Sequence, residues 1–426
     1  MIAKIFTNVI NTLNTLNYLF CKMALNTTLV ENFVANIGQE NNTLPVDDLG
    51  LSKTISKKFA KMLGGVKSTS AIIDGNEYVL TGAGACAMLQ TLDEGKGLEP
   101  SYNGATLDIN TDVEKPTVVI GGAFESKATT TQVVDGQEVQ IPAASAQVVT
   151  GKSISLYDAT ISDKVAVTLK SDGPIVAEGV VLDNRDGSIA KVNNSSNSAL
   201  KVHGCNPKSV AMKDVTVYAN RDGANNLVGV NYLYNGLEVW GGTNTKNIVF
   251  ENCQLLGKFT NNAINVYGCA DNSVITVKNC WFDTVSNVLR LSNTTNATNV
   301  TINFENCVIE HWEGENATVE SKNDWAGFCI CQDYTSKSAD EAETNNLFAP
   351  AKIKINIKNC RGPKGPIQFA EGETAANYCQ TGIGTQLCYV YRDKGGLVAY
   401  DTAKYPTINV ECAAEPTVQK ASIPAE

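Results

Sequence analysis

The sequence predicts a mainly β chain wound as a parallel β-helix, preceded by a short α-helical region, and three observations carry that prediction. An Asn-Cys pair recurs in "FENCQLL", "VKNCWFD" and "FENCVIE", which begin at Phe250, Val277 and Phe304. From about residue 106 onward the chain is short runs of Val, Ile and Thr broken by Asn, Asp and Gly, as in "TVVIGG" and "IVAEGVVLDN", which are strand and turn signals. Each repeat also carries a second apolar run commonly followed by Gly: "ALKVHGC", "GLEVWGG" and "AINVYGC" begin at Ala199, Gly236 and Ala263. Two or three short strands in a unit of about 27 residues suit coils stacked ~4.8 Å apart, each touching only its neighbours. A leucine-rich repeat needs its Leu signature and a propeller roughly 40 residues per blade, and neither fits.

In chain order, residues 1–65 read as a helical N-terminal anchor or cap. Ile2, Ile5, Phe6, Val9, Leu13, Leu16 and Leu19 recur at three- and four-residue intervals, and "LSKTISKKFAKMLGG" places Ile55, Phe59 and Met62 on one face with Lys53, Lys57, Lys58 and Lys61 opposite. That basic face is either a solvated face of a docked helix or a surface for an anionic partner. Asn and Thr interrupt the first apolar stretch, so no signal peptide is expected, and no stretch reaches the ~20 apolar residues of a membrane span. Translation could start at Met1 or Met23. Residues 66–105, with "LTGAGACAML", read as a connector or small capping subdomain; residues 106–412 read as the β-helix, and 413–426 as a C-terminal tail.

Composition narrows the function classes. The 426 residues are 43% apolar, enough for a packed core, and a net charge of -10 argues against a general nucleic-acid coat. Thirteen cysteines are too sparse for a small disulfide scaffold. With only His203 and His311, a His-rich zinc site is excluded, and neither a metal nor a cofactor is expected.

Aligned on the Asn-Cys pair, the marker moves from Asp214 to Asn252, Asn279, Asn306 and Asn359 in steps of 38, 27, 27 and 53. The last step is two periods, or one period with an insertion at "DYTSKSADEAETNN". Stacking places Phe250, Val277, Phe304 and Ile357 in an inward apolar column. At the corner Asn252, Asn279, Asn306 and Asn359 bond amide to amide, and Cys253, Cys280, Cys307 and Cys360 fill space as small apolar groups. Metal ligation and redox chemistry are the alternatives for these thiols.

On repeat shape and this Asn ladder the chain resembles the right-handed parallel β-helix proteins, the pectate-lyase-like group that includes phage tailspikes and other virion proteins. The resemblance covers roughly residues 106–412. It implies a bacteriophage virion component, a trimer as in other phage β-helices, assembled in a reducing host cytoplasm with other virion proteins or copies of itself as partners. It does not extend to a family active-site motif.

Catalysis on such a face needs two carboxylates ~5 to 9.5 Å apart. The outward column of the aligned strands is Lys201, Glu238, Asn265 and Arg290, flanked by His203, Trp240, Tyr267 and Ser292. Glu238 has no acid beside it. "NRDG" occurs at Asn184 and Asn220, placing Asp186 and Asp222 at turn tips. The catalytic candidates are therefore Glu238 and Asp222, and His203, Trp240, Tyr267 and Arg290 form a face for carbohydrate or a protein partner. The expectation is a non-enzymatic structural subunit, a head decoration, fibre or tail component, with a rod 50 to 60 Å long; a β-helical polysaccharide-binding or polysaccharide-degrading protein is the alternative.

Overall fold

The structure, a computed structural model, describes residues 69–73, 76–81 and, between 117 and 423, all but short gaps and the segments 125–128, 186–197, 220–232, 313–326, 334–351 and 380–385. The helical reading of 1–65, most of the 66–105 connector, and Asp186 and Asp222 lie outside the described residues.

Three parallel sheets stacked coil on coil make the walls of a solenoid, the arrangement of a parallel β-helix. The first sheet contains Thr117–Ile120, Ile154–Tyr157, Ile175–Glu178, Ser209–Lys213, Asn247–Glu251, Val274–Lys278, Val300–Glu305, Ile353–Lys358 and Thr407–Glu411. At its N-terminal edge Thr69–Ile73 and Asn76–Thr81 pair antiparallel, and the second of these runs parallel to Thr117–Ile120. After a corner comes the second sheet, with Val181–Asn184, Thr216–Ala219, Trp281–Val285 and Val308–Trp312, and then the third, with Val165–Lys170, Leu200–Val202, Leu233–Val239, Asn287–Asn293, Gly327–Asp333 and Gln386–Arg392. One long strand, Gln254–Tyr267, serves both: Gln254 pairs with Trp281 and Ile264 with Leu289. Two sheets finish in antiparallel returns, Gly365–Pro366 on Arg361–Gly362 and Gly396–Leu397 on Gln386–Arg392.

Among the described residues, ten parallel strands of the first sheet at ~4.8 Å spacing span roughly 43 Å. Val300–Glu305 pairs directly with Ile353–Lys358, so the 53-residue step is one coil carrying an insertion.

The core follows the two-residue period of each strand. Met212, Phe250, Val277, Phe304 and Ile357 stand in register and are all buried, as the repeat predicts. One residue further along the same strands, Glu178, Lys213, Glu251, Lys278, Glu305, Lys358 and Glu411 form a column of alternating sign. Ion pairs close at Lys213–Glu251 (3.7 Å), Lys278–Glu305 (3.4 Å) and Lys358–Glu411 (3.4 Å). Exposed pairs of this kind add little stability each. A slip by one coil, however, would set like charges face to face, so the column selects register.

The corner after this column turns on a left-handed residue: Gly179, Asp214, Asn252, Asn279, Asn306 and Asn359 have φ of 68°, 50°, 55°, 53°, 54° and 50°. Asn tolerates that conformation better than other side-chain-bearing residues and, unlike Gly, brings an amide. Asn252 Nδ2 donates to Asp214 Oδ1 (3.3 Å), Asn279 Nδ2 to Asn252 Oδ1 (3.1 Å) and Asn306 Nδ2 to Asn279 Oδ1 (2.7 Å). The acceptor-only Asp214 stands where the chain of donors ends. Next along, Ala159, Val180, Val215, Cys253, Cys280, Cys307 and Cys360 are buried. Valine at the cysteine position in earlier coils shows what the thiols do there: they fill a small apolar space.

The segment beyond Cys412 is not loose. It runs back along the outside of the second sheet, whose strands carry adjacent apolar pairs, Leu255–Leu256 and Val308–Ile309, where strict alternation would leave one apolar side chain in water. Leu256 and Val308 are buried, as is Tyr218. Ala413 and Ala414 N–H donate to Asn359 Oδ1 (2.9 and 3.0 Å), and Thr417 N–H to Asn306 Oδ1 (2.7 Å), taking over where the amide ladder is interrupted.

Candidate functional site: the outer face of the third sheet

In the third sheet Leu200 and Val202, Leu237 and Val239, Ile264 and Val266, Leu289 and Leu291 point into the core. Alternation sends the residues between them outward, and the register stacks Lys201, Glu238, Asn265 and Arg290 in one column, as expected from the repeat. The flanking column also assembles. The rings of His203 and Trp240 meet at 4.3 Å and 70°, those of Trp240 and Tyr267 stack at 4.2 Å and 22°, and Tyr267 is in register with Ser292. Trp240 is therefore flanked by a ring on either side along the column.

Glu238 does not face solvent. It is fully buried, and four neutral donors meet its carboxylate: Trp240 Nε1 on Oε1 (2.7 Å), and Asn235 Nδ2 (2.7 Å), Ser198 Oγ (3.3 Å) and Asn265 Nδ2 (3.5 Å) on Oε2. Two of these donors sit three residues before a column member: Ser198 before Lys201 and Asn235 before Glu238. Asn262 before Asn265 and Asn287 before Arg290 continue that series, and all four are buried. Asn262 Nδ2 donates to Asn235 Oδ1 (3.2 Å). This second polar column was missed in the sequence; its signal is the Ser or Asn three residues ahead of each outward residue in "SALK", "NGLE", "NAIN" and "NVLR".

The network is incomplete at one place. Among the described residues, Asn262 Oδ1 and Asn265 Oδ1 are buried with no donor. His203, Lys201, Arg290, Trp240 and Tyr267 around them are partly exposed. Desolvation, with Lys201 and Lys170 adding to it against the opposing pull of Glu238, holds the His203 imidazole below its ordinary value of 6.5.

Chemically the face offers hydrogen-bond acceptors, cationic side chains and stacked rings. Among the described residues its central carboxylate, Glu238, is occupied by donors, and its register partners are Lys201 and Asn265. The corner thiols are buried as well. Cys253, Cys280 and Cys307 direct Sγ to the carbonyls of Met212, Phe250 and Val277, and burial, with neighbouring thiols, pushes Cys280 and Cys360 well above the usual thiol range. Among the described residues no group of three or more His, Cys, Asp or Glu is arranged to hold a metal ion, and no helix is long and apolar enough to cross a membrane.

Comparison with known proteins returns no family model, no curated protein and no solved structure that matches the chain.

Proposed function

We propose that the chain is a non-enzymatic structural rod of an assembled particle, wound right-handed, and that the particle is a bacteriophage virion in which it serves as head decoration, fibre or tail-associated subunit. The observation that carries the structural part is the state of Glu238. The one carboxylate at the centre of the expected binding face is buried and fully engaged by donors, so it serves cohesion between coils rather than proton transfer. Ladders of amides and alternating charges along the other walls fit the same purpose. The virion setting, the cytoplasmic assembly and a trimeric state rest on the resemblance in repeat shape. Partners are then other virion proteins or further copies of the chain. Purified particles test this: the protein should be present in fixed stoichiometry, and its absence from every particle fraction would overturn the reading.

A second reading, a polysaccharide-binding or polysaccharide-degrading protein, is favoured by Asn262 Oδ1 and Asn265 Oδ1, two buried acceptors of the kind that receive ligand hydroxyls, beside Trp240 and Tyr267. A screen on acidic and neutral polysaccharides separates the two. Turnover lost in Glu238→Gln or Asp222→Asn would establish the enzyme, and saturable binding without turnover would establish the binding protein.

A further inference from the structure

Among the described residues, the segment after Cys412 touches the rod in a way that the strands do not. Each strand of the solenoid contacts the coil before and the coil after. The segment 413–423 instead runs along the rod axis and bonds to five coils in turn. Glu415 lies 4.0 Å from Arg361, and Thr417 N–H donates to Asn306 Oδ1 (2.7 Å). Lys420 Nζ binds the Glu310 carboxylate and lies 3.6 Å from Asp283 Oδ1. Gln254 grips the segment from both sides of its amide, donating Nε2 to Gln419 O and accepting Ala421 N–H on Oε1, both at 3.1 Å. Tyr218 OH donates to Ser422 O (3.2 Å). From Glu415 to Ser422 an extended chain spans about 23 Å at ~3.3 Å per residue, close to the roughly 19 Å that four coil spacings require. Pro416, Val418 and Lys420 are half-buried while Glu415, Thr417 and Gln419 are exposed, the two-residue alternation of an extended strand.

The receiving surface is written into the second sheet. Leu256, Val308 and Tyr218 are buried on its outer side, and Trp281 Nε1 donates to the same Glu310 oxygen that takes Lys420 (3.2 Å). None of the anchor residues Arg361, Asn306, Glu310, Asp283, Gln254 and Tyr218 neighbours the next in sequence. They form a row only when their coils are stacked in the correct register.

We propose that the outer face of the second sheet is a strand-receiving strip and that residues 413–423 are its occupant, a clasp that docks last, after the coils have stacked, and locks their register. A coil out of register displaces at least one anchor, so the clasp closes fully only on a correctly wound rod. Contacts made after the folding transition state slow unfolding without speeding folding. The clasp is thus a kinetic lock, distinct from the cohesion that the ladders supply.

Two chains and one peptide test this: the full chain, a chain ended after Cys412, and a synthetic peptide of residues 413–426. The shortened chain should fold to the same strand content and at the same rate as the full chain, yet unfold about tenfold faster or more. The peptide added in trans should bind it and restore slow unfolding, and a peptide carrying Lys420→Ala should restore it less. Within the full chain, Gln254→Ala should speed unfolding and raise hydrogen exchange in 413–423, leaving exchange in Val274–Lys278 unchanged. A shortened chain that unfolds at the full chain's rate, that folds more slowly or not at all, or that ignores the peptide, overturns the proposal.

Discussion

Asn279 and Asn265 are the same residue on two walls of one solenoid, and the rod treats them differently. Asn279 donates to Asn252 at 3.1 Å and accepts from Asn306 at 2.7 Å, as one rung of a repeating corner. Asn265 reaches Glu238 Oε2 only at 3.5 Å, and its Oδ1, buried, accepts nothing among the described residues. The corner is solved once and copied, because identical side chains one coil apart present donor to acceptor by translation alone. The face of the third sheet is not copied. Lys201, Glu238, Asn265 and Arg290 differ at each step, so each contact has to be satisfied individually, and two oxygens are left over. Repetition supplies stability cheaply; departure from repetition marks where the chain spends stability on something else.

The sharpest break in that comparison is Glu238→Gln. The replacement amide turns a donor toward Trp240 Nε1 or Asn235 Nδ2, leaving a buried donor facing a donor. Each such orphan costs about 1–3 kcal/mol, and a loss of about 3 kcal/mol is expected because the network is shared among four residues. A denaturant midpoint equal to that of the parent would show that the four donors do not depend on the carboxylate.

In the corner column the expected loss is smaller. Asn279→Ala keeps the left-handed turn but puts an ordinary side chain in it, at roughly 1–2 kcal/mol, and removes two amide bonds, one exposed and one partly buried. The sum is about 2 kcal/mol. Asn279→Gly should recover the backbone part and lose only the amide part. Equal midpoints for the two variants would mean that the turn at φ 53° carries no strain.

The difference between the walls also governs what the sequence revealed. The corner column was legible because one period places Asn, Cys and the apolar Phe250, Val277 and Phe304 in line, so aligning the strings is equivalent to stacking the coils. The outward column Lys201, Glu238, Asn265 and Arg290 was legible for the same reason. Its burial was not: Glu238 is covered by donors from positions three residues upstream and from three different coils, and no single period links them. The clasp was hidden for a related reason. Its partners, from Arg361 back to Tyr218, run against chain order, and only the paired apolar residues Leu255–Leu256 and Val308–Ile309 hinted that the second sheet needed a cover. The 53-residue step was ambiguous for the same reason: periodicity reads it as two turns or as one turn with an insertion, and only the pairing of Val300–Glu305 with Ile353–Lys358 chooses the second.

Between the two walls lies the clasp, where acid should act. Burial alone would raise the Glu310 carboxyl, but bonds from Lys420 and Trp281, with the charges of Lys420 and His311, hold it below its ordinary value of 4.5. A carboxyl depressed in the folded state stabilises it fully above that ordinary value and loses the contribution as pH falls through the lower, folded value. Residues 413–423 should stay protected from hydrogen exchange at neutral pH and lose protection below about pH 4.5, whereas the rung between Asn252 and Asn279, which joins two amides and does not touch the clasp, should keep it. Protection lost together in both regions would assign the transition to global acid unfolding.

The corner thiols predict a still smaller change. Val180 and Val215 occupy the position of Cys280, so Cys280→Val should cost under about 1.5 kcal/mol. Thiol reagents should leave Cys253, Cys280 and Cys307 unmodified in the folded rod, and bound metal at these positions would contradict the packing role.

The smallest effect is expected at Asn265, and its sign is informative. Removing Asn279 breaks two bonds of a complete ladder; removing Asn265 breaks one long bond and deletes an acceptor that has no donor. If Asn265 only packs, Asn265→Leu should change the midpoint by less than about 0.5 kcal/mol or stabilise the rod, since replacing an unsatisfied buried amide by an apolar group of similar shape removes a desolvation cost. A loss comparable to that of Asn279→Ala would mean that Asn265 Oδ1 is bonded in solution, to ordered water or to a ligand on the His203, Trp240, Tyr267 and Arg290 face. Repeating the substitution with and without the polysaccharide panel then distinguishes the two: a ligand shifts the midpoint of the parent and not of the variant, whereas water shifts neither.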